Sequence, residues 1–247
     1  MQMLNSCCGV TRDPRGVVRL TICNAGPLTI LNTPVIAGVR EGLTALARDP
    51  DIRALILAGQ TEKSMIGGAD IKEMATLDQA SAEKFITTLR DLCEAARQFP
   101  APVIARLRGW CLGGGLEFAA ACDLRIASED AKFAMPEVKV GIPSVIHAAL
   151  LPRLIGWGRA RWLILMAATI DAPTALNWGL VDQVVPDSDL DQAIEVVARG
   201  VADCAPEAMR NQKALLRQWE ELPLTESVNL SIGVFGQSFL TGEPQRH

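Results

Sequence analysis

Short β-branched runs alternate with long helical periods through the first half of this chain, and that alternation restricts its fold more than any other feature. Val17 to Cys23, Arg53 to Leu57 and Val103 to Leu107 read as strands, with a fourth at Leu124 to Ala127. Between them, Val35 to Ala47 and Ala80 to Phe99 repeat apolar residues at the three- and four-residue spacing of amphipathic helices. Strand and helix in alternation predict an α/β core. Beyond Pro143 the pattern becomes mostly helical, over Ala148 to Leu154, Arg159 to Ala168, Ala172 to Trp178 and Leu190 to Cys204, with one strand at Val181 to Val185. Pro206 suits the first turn of a helix reaching about Trp219, and a last helix spans Thr225 to Phe239. The expected organisation is a core over residues 1–200 followed by a helical region over 201–247.

Composition narrows the chemistry. A net charge of -4 gives no general attraction to nucleic acid, and the helix Gln79 to Phe99 mixes Lys84, Arg90 and Arg97 with Glu83, Asp91 and Glu94 rather than forming a basic stripe. Pro152 and Arg153 interrupt the longest apolar stretch, and the first residues lack the apolar centre of a signal peptide, so a cytoplasmic protein without membrane spans is expected. The seven cysteines are scattered with no CxxC pair and read as buried free thiols. With only two histidines, His147 and His247, and no tyrosine, a His-rich metal site and a tyrosine acid are excluded. Carboxylates are the leading proton carriers. No metal is expected.

Three segments hold candidates. In Arg108 to Ser128 (RGWCLGGGLEFAAACDLRIAS), three glycines stand where a strand gives way to a helix, exposing backbone N–H groups at the positive end of a helix dipole. Glu117 falls in the first turn, an arrangement that ordinary helix capping also explains. In Met65 to Met74 (MIGGADIKEM), Gly67-Gly68-Ala69-Asp70 forms another turn before a short helix, with Asp70 as its cap. Neither turn has the spacing of a phosphate-binding loop. In Lys132 to Pro143 (KFAMPEVKVGIP), Glu137 follows Pro136 among apolar residues that would partly desolvate a carboxylate.

In this order and at these separations, GADIKEM, LGGGLEFAAACDLRIAS and AKFAMPEVKVGIP closely resemble the enoyl-CoA hydratase/isomerase (crotonase) superfamily, and the resemblance extends from about Val17 to about Val185. It implies a spiral of ββα repeats followed by a helical C-terminal region that drives trimerisation, as a homotrimer or a hexamer of two stacked trimers. It also implies acyl-CoA substrates and a place in fatty acid metabolism, with coenzyme A present as part of the substrate and no permanently bound cofactor. The backbone amides of Ala69 and Gly114 would form an oxyanion hole, and Glu117 and Glu137 would divide acid and base work, Glu117 activating water and Glu137 handling the α-proton. Leu28, Gly68, Ala69, Asp70, Ile71, Lys72, Gly113 and Gly114 would bind the CoA thioester. A methyl added at Gly114 is expected to press on that thioester.

Retention of both glutamates favours hydration, or dehydration in reverse, over enoyl-CoA isomerisation. A non-catalytic CoA- or RNA-binding protein on the same fold is the alternative of another class. One departure stands out: after GIP the chain reads SVIHAALLPRL where hydratases often carry a glycine-rich stretch. Pro136, Ser144, Val145 and His147 are therefore expected around the acyl group.

Overall fold

The long apolar runs pair side by side as β1 (Gln2–Asn5), β2 (Cys8–Arg12), β3 (Val17–Ile22), β4 (Ala54–Gly59), β6 (Val103–Leu107), β8 (Leu124–Ser128) and β11 (Gln183–Val185), forming a seven-stranded sheet in that spatial order. The computed structural model describes residues 1–246; His247, at the end of the expected helical region, lies outside them. The first three strands are antiparallel and the remainder parallel, with Leu55 opposite Val103 and Ile104 opposite Leu124. Alternation decides which face each residue serves. Ala54, Ile56, Ile104 and Ile126 pack with Leu190, Ile194 and Ala198 of α7 (Leu190–Ala202). Leu55, Leu57, Val103 and Ala105 join the main core with α1 (Thr33–Leu46) and α3 (Gln79–Arg97).

None of the strands read from apolar periodicity belongs to the second sheet. It contains β5 (Ser64–Ile66), β7 (Trp110–Leu112), β9 (Lys132–Ala134) and β10 (Thr169–Asp171), in the order β10-β9-β7-β5. β5, β7 and β9 are parallel neighbours, and each follows one large-sheet strand, so β4-β5, β6-β7 and β8-β9 are three successive ββ units. The corner between β6 and β7 is Gly109, with φ of 60°; a Cβ there would lie 2.1 Å from the carbonyl oxygen of Lys63. This is the ββα spiral that the motifs imply, with a helix closing two units and a 3₁₀ turn, Glu137–Val140, closing the third.

The helical half follows its periodicity. The two expected helices around Arg153 and Arg161 form one segment, α5 (Leu151–Leu165), interrupted at Gly156 and preceded by a 3₁₀ turn over Ile146–Leu150. α6 (Ala172–Trp178) comes next, and α7 runs through the expected boundary at residue 200 to Ala202. α8 (Pro206–Glu221) docks through charge: buried Lys213 reaches Asp123 at 2.7 Å and donates to the Ala101 carbonyl at 3.0 Å, and Arg97 meets Glu220 at 2.7 Å. α9 (Leu224–Ser238) leans on α8, where the Trp219 indole N–H donates to Ser231 at 3.2 Å. Its apolar side chains Val228, Ile232 and Phe235 are exposed.

Candidate active site

Three parallel strands of the small sheet end at one edge, and each delivers one of the three motif segments to it. β5 leads into Gly67-Gly68-Ala69-Asp70, β7 into Gly113 and α4 (Gly114–Ala120), and β9 into Pro136-Glu137. Residues separated by almost 70 positions in the chain thereby line a single cleft of about 570 Å³. Gly68, Ala69, Gly113, Gly114, Glu117, Pro136, Glu137 and Val145 all lie on its wall.

The first turn is held by a distant segment. Gly67 N–H donates to the Leu28 carbonyl (2.7 Å), Leu31 N–H to Gly68 (2.9 Å), and Asp70 N–H to Leu31 (3.0 Å). These bonds make a parallel bridge between Leu31 and Ala69, in which the N–H of Ala69 itself points away from Leu31. Ala69 N–H donates to no protein acceptor among the described residues. Asp70 caps the short helix α2 (Ile71–Met74) by accepting from the Lys72 and Glu73 amides, as its position suggests. Ile71 reaches the cleft; Asp70, Lys72 and half-exposed Leu28 do not line it.

The second turn pivots on Gly113, whose φ of 52° and ψ of -123° leave no room for a side chain. A Cβ there would stand 2.4 Å from Oε1 of Glu137, so the absence of a side chain is what lets that carboxylate approach. Gly113 N–H donates to Ala134 (2.9 Å), tying β7 to β9, and Glu117 N–H returns to the Gly113 carbonyl (3.0 Å) to start α4. Gly114 N–H, at the first helical position, likewise has no protein acceptor among the described residues. A Cβ at Gly114 would meet Leu89 Cδ2 at 2.8 Å. The added methyl would therefore press on the α3 wall, a contact that the sequence did not suggest.

Glu117 is buried, and its Oε1 accepts from the Ala148 amide at 3.1 Å. Burial pushes its carboxyl up to about 8; the Ala148 bond opposes the shift and the nearby Glu137 charge adds to it. Glu137 is half-buried on its 3₁₀ turn, and its Oε2 accepts from the Ser144 hydroxyl at 2.8 Å. One carboxyl that takes up protons near neutrality thus faces the same cleft as a second, hydrogen-bonded one. Such a pair can exchange protons with a molecule lying between them.

The four residues expected around the acyl group divide. Val145 and Pro136 line the cleft, whereas Ser144 turns its hydroxyl to Glu137. His147 is buried away from the cleft wall with its Nε2 2.7 Å from Glu94 on α3. Sequence reasoning missed the far wall. Phe85, Ile86 and Leu89 of α3 line it, and their signal was the three- and four-residue spacing already read as core. No Lys or Arg among the described residues lines the cleft. Among the described residues no His, Cys, Asp and Glu side chains gather as metal ligands would. Six of the seven cysteines are buried, and desolvation pushes the thiols of Cys8 and Cys122 up to about 12.

Known proteins resemble this chain in sequence and in fold. The family model for enoyl-CoA hydratase/isomerase matches residues 12–245. A short-chain-enoyl-CoA hydratase of Clostridium acetobutylicum is 34% identical over 91% of this chain and 87% of its own length. A probable enoyl-CoA hydratase of Mycobacterium bovis is 38% identical over 94% and 89%. Among solved structures, Pseudomonas aeruginosa DspI superposes with a TM-score of 0.90 at 34% identity, covering 95% of this chain and 96% of that one. The enoyl-CoA hydratase of Bacillus anthracis gives 0.89 at 30% identity over 93% and 90%. Fold and sequence agree, and the chain belongs to the enoyl-CoA hydratase/isomerase family.

Proposed function

We propose that this protein is an enoyl-CoA hydratase, adding water across a carbon–carbon double bond conjugated to a CoA thioester or removing it in reverse. The observation that carries the reading is the meeting of Glu117, Glu137 and two amides without protein acceptors, Ala69 and Gly114, in one cleft. As water adds at the β-carbon, negative charge gathers on the thioester oxygen. The two amides form the oxyanion hole for it, a donor being worth ~10²–10³ in rate. Glu117 takes the proton from water and Glu137 supplies one to the α-carbon. The apolar wall of Phe85, Ile86, Leu89 and Val145 suits the acyl chain, and the lack of a lining cation favours an uncharged one. The Gly67–Lys72 turn and the Leu28 segment hold the CoA portion, and no permanent cofactor takes part.

The proposed assembly is a homotrimer, alone or stacked in pairs, working in the cytoplasm. Its support is the apolar surface of α9 and of α8, where Leu216 and Trp219 are exposed while Leu215 is buried in the chain's own fold. No helix among the described residues is long and apolar enough to cross a membrane.

The test is a panel of 2-enoyl- and 3-hydroxyacyl-CoA thioesters followed by mass spectrometry for gain or loss of one water. Glu117→Gln and Glu137→Gln should each lower turnover by at least ~10²-fold while acyl-CoA binding survives. Near-parental hydration by either variant would remove that glutamate from the mechanism. A panel in which no thioester gains or loses water would remove the assignment.

A further inference from the structure

One short segment holds both carboxylates of the cleft. Ser144 donates its hydroxyl to Glu137 Oε2 at 2.8 Å, and four residues later the Ala148 amide donates to Glu117 Oε1 at 3.1 Å. Ser144 does not line the cleft, so its side chain is not a wall against the acyl group. The backbone supports this return. Gly141 closes the Glu137–Val140 turn in the left-handed conformation, Ile142 N–H reaches back to the Glu137 carbonyl at 3.2 Å, and the chain then doubles over the carboxylate. The two oxygens of Glu137 are left in different surroundings. Oε2 accepts from Ser144, and Oε1 lies against Gly113, beside the peptide that carries the Gly114 N–H.

We propose that Ser144 is a positioning residue for Glu137, fixing Oε2 so that Oε1 is the atom that exchanges the proton with the substrate α-carbon. The inference rests on the hydratase reading and deepens it. A hydroxyl that donates to Oε2 leaves Oε1 to carry the proton when the carboxyl is neutral. During hydration the water oxygen bonds to the β-carbon and its proton passes to Glu117. The electron pair of the double bond moves onto the α-carbon and thioester, and Oε1–H gives its proton to the α-carbon. Glu137 is then a carboxylate, the state in which the Ser144 hydrogen bond is strongest. Glu117 and Glu137 regain their starting protonation by exchange with solvent. Ser144 thus stabilises the state that proton delivery produces and holds the donating oxygen in place.

The test compares Ser144→Ala and Ser144→Thr in the parent and in a Glu137→Gln background. It reads kcat and KM for hydration of a 2-enoyl-CoA with a short, uncharged acyl group, and Kd for a saturated acyl-CoA. Ser144→Ala should lower kcat by about 10- to 100-fold, the rate equivalent of one hydrogen bond to a charged group. Kd should stay within about 3-fold, and Ser144→Thr should restore most of kcat. In the Glu137→Gln background Ser144→Ala should cost little more, because its effect passes through Glu137. Unchanged kcat, a raised KM with kcat intact, or an equal loss in the Gln background would each overturn the proposal. Should Ser144→Ala fail to fold, Ser144→Cys keeps the volume with a weaker donor, and an intermediate kcat is then the expected result; parental kcat overturns it. A parent that hydrates no thioester would remove the hydratase reading and this inference together, whereas a Glu137→Gln variant at full rate would remove Glu137 from the mechanism and this inference with it. Loss of activity in Glu137→Gln beside a fully active Ser144→Ala would remove this inference alone.

Discussion

The large sheet and the small sheet differ in what holds them. β3, β4, β6 and β8 have five or six residues, are covered on both faces, and lock side chains into two apolar clusters. β5, β7, β9 and β10 have three residues each, and β7 and β10 expose part of their surface. Strands that short are held by backbone bonds to neighbours and by the corners that connect them to the large sheet. Yet three strands of the small sheet end in the three motif segments of the cleft. The large sheet packs into both apolar clusters, and the small one places two amides and two carboxylates on that support. This division predicts that substitutions at the small-sheet edge change the rate more than the stability, and that substitutions in the large sheet do the reverse.

Gly114→Pro presses hardest on that division. It removes the N–H at a helix position where proline is accepted, and the Gly113 ψ of -123° mirrors the extended geometry favoured before proline. Turnover should fall by ~10²-fold or more with the fold retained, as read by steady-state kinetics beside thermal melting. Because the ring also approaches the thioester, acyl-CoA affinity is measured separately. A folded variant hydrating at the parent rate would show that this turn is a helix start and nothing more.

Leu57→Ala is the opposite case. Leu57 is fully buried in β4, away from the cleft wall. Its truncation should cost about 2–5 kcal/mol in denaturant unfolding while kcat per folded molecule is unchanged. Loss of kcat in step with stability would mean that the two sheets are not separable in this way.

Glu117→Gln sharpens the comparison through pH. The folded-state pKa of Glu117 is raised from its ordinary 4.5 to about 8, so the folded form binds this proton more tightly than the unfolded form. The stability tied to that proton is fully present below pH 4.5 and is lost as the pH climbs through 8. The Gln variant should therefore match the parent near pH 4.5 and gain on it progressively toward pH 8, even as it loses turnover. Parental hydration should rise with pH toward an apparent midpoint near 8, as the base ionises. A stability difference independent of pH would show that Glu117 is not buried as a neutral acid.

The smallest effect is expected at cysteine. Cys204 is exposed beyond α7, and the other six thiols are buried. A thiol reagent should modify one residue in the native protein and the rest only on unfolding, with Cys204→Ser leaving turnover unchanged. Rapid labelling of Cys111 on β7 would reveal opening of the small sheet.

The helical C-terminal region divides along similar lines. α8 is fixed by an ion network through Lys213, Asp123 and Arg217, so its apolar Leu216 and Trp219 remain partly exposed. The sequence pattern marked a helix reaching about Trp219 but not which of its apolar side chains the chain itself covers. His147 is comparable: near the motif in sequence, it is drawn to Glu94 because the turn at Ile146–Leu150 packs on α3 and α4.

Local pattern determined the long strands, most of the helices and the three segments that hold the candidate site residues. Period-two apolar runs and three- and four-residue spacing are properties of contiguous residues, and GGGLE or MPE keeps its chemistry wherever it sits. Tertiary structure alone decided the second sheet, the α3 wall behind Gly114, the burial that raises Glu117 and the turn of Ser144 onto Glu137. A three-residue strand has no periodicity to read. Its existence depends on backbone partners some 20 to 50 positions away, such as Trp110 opposite Lys132 and Ser64. A carboxyl's proton affinity likewise depends on what surrounds it, and for Glu117 that includes the Ala148 amide and Glu137, brought there only when the spiral closes.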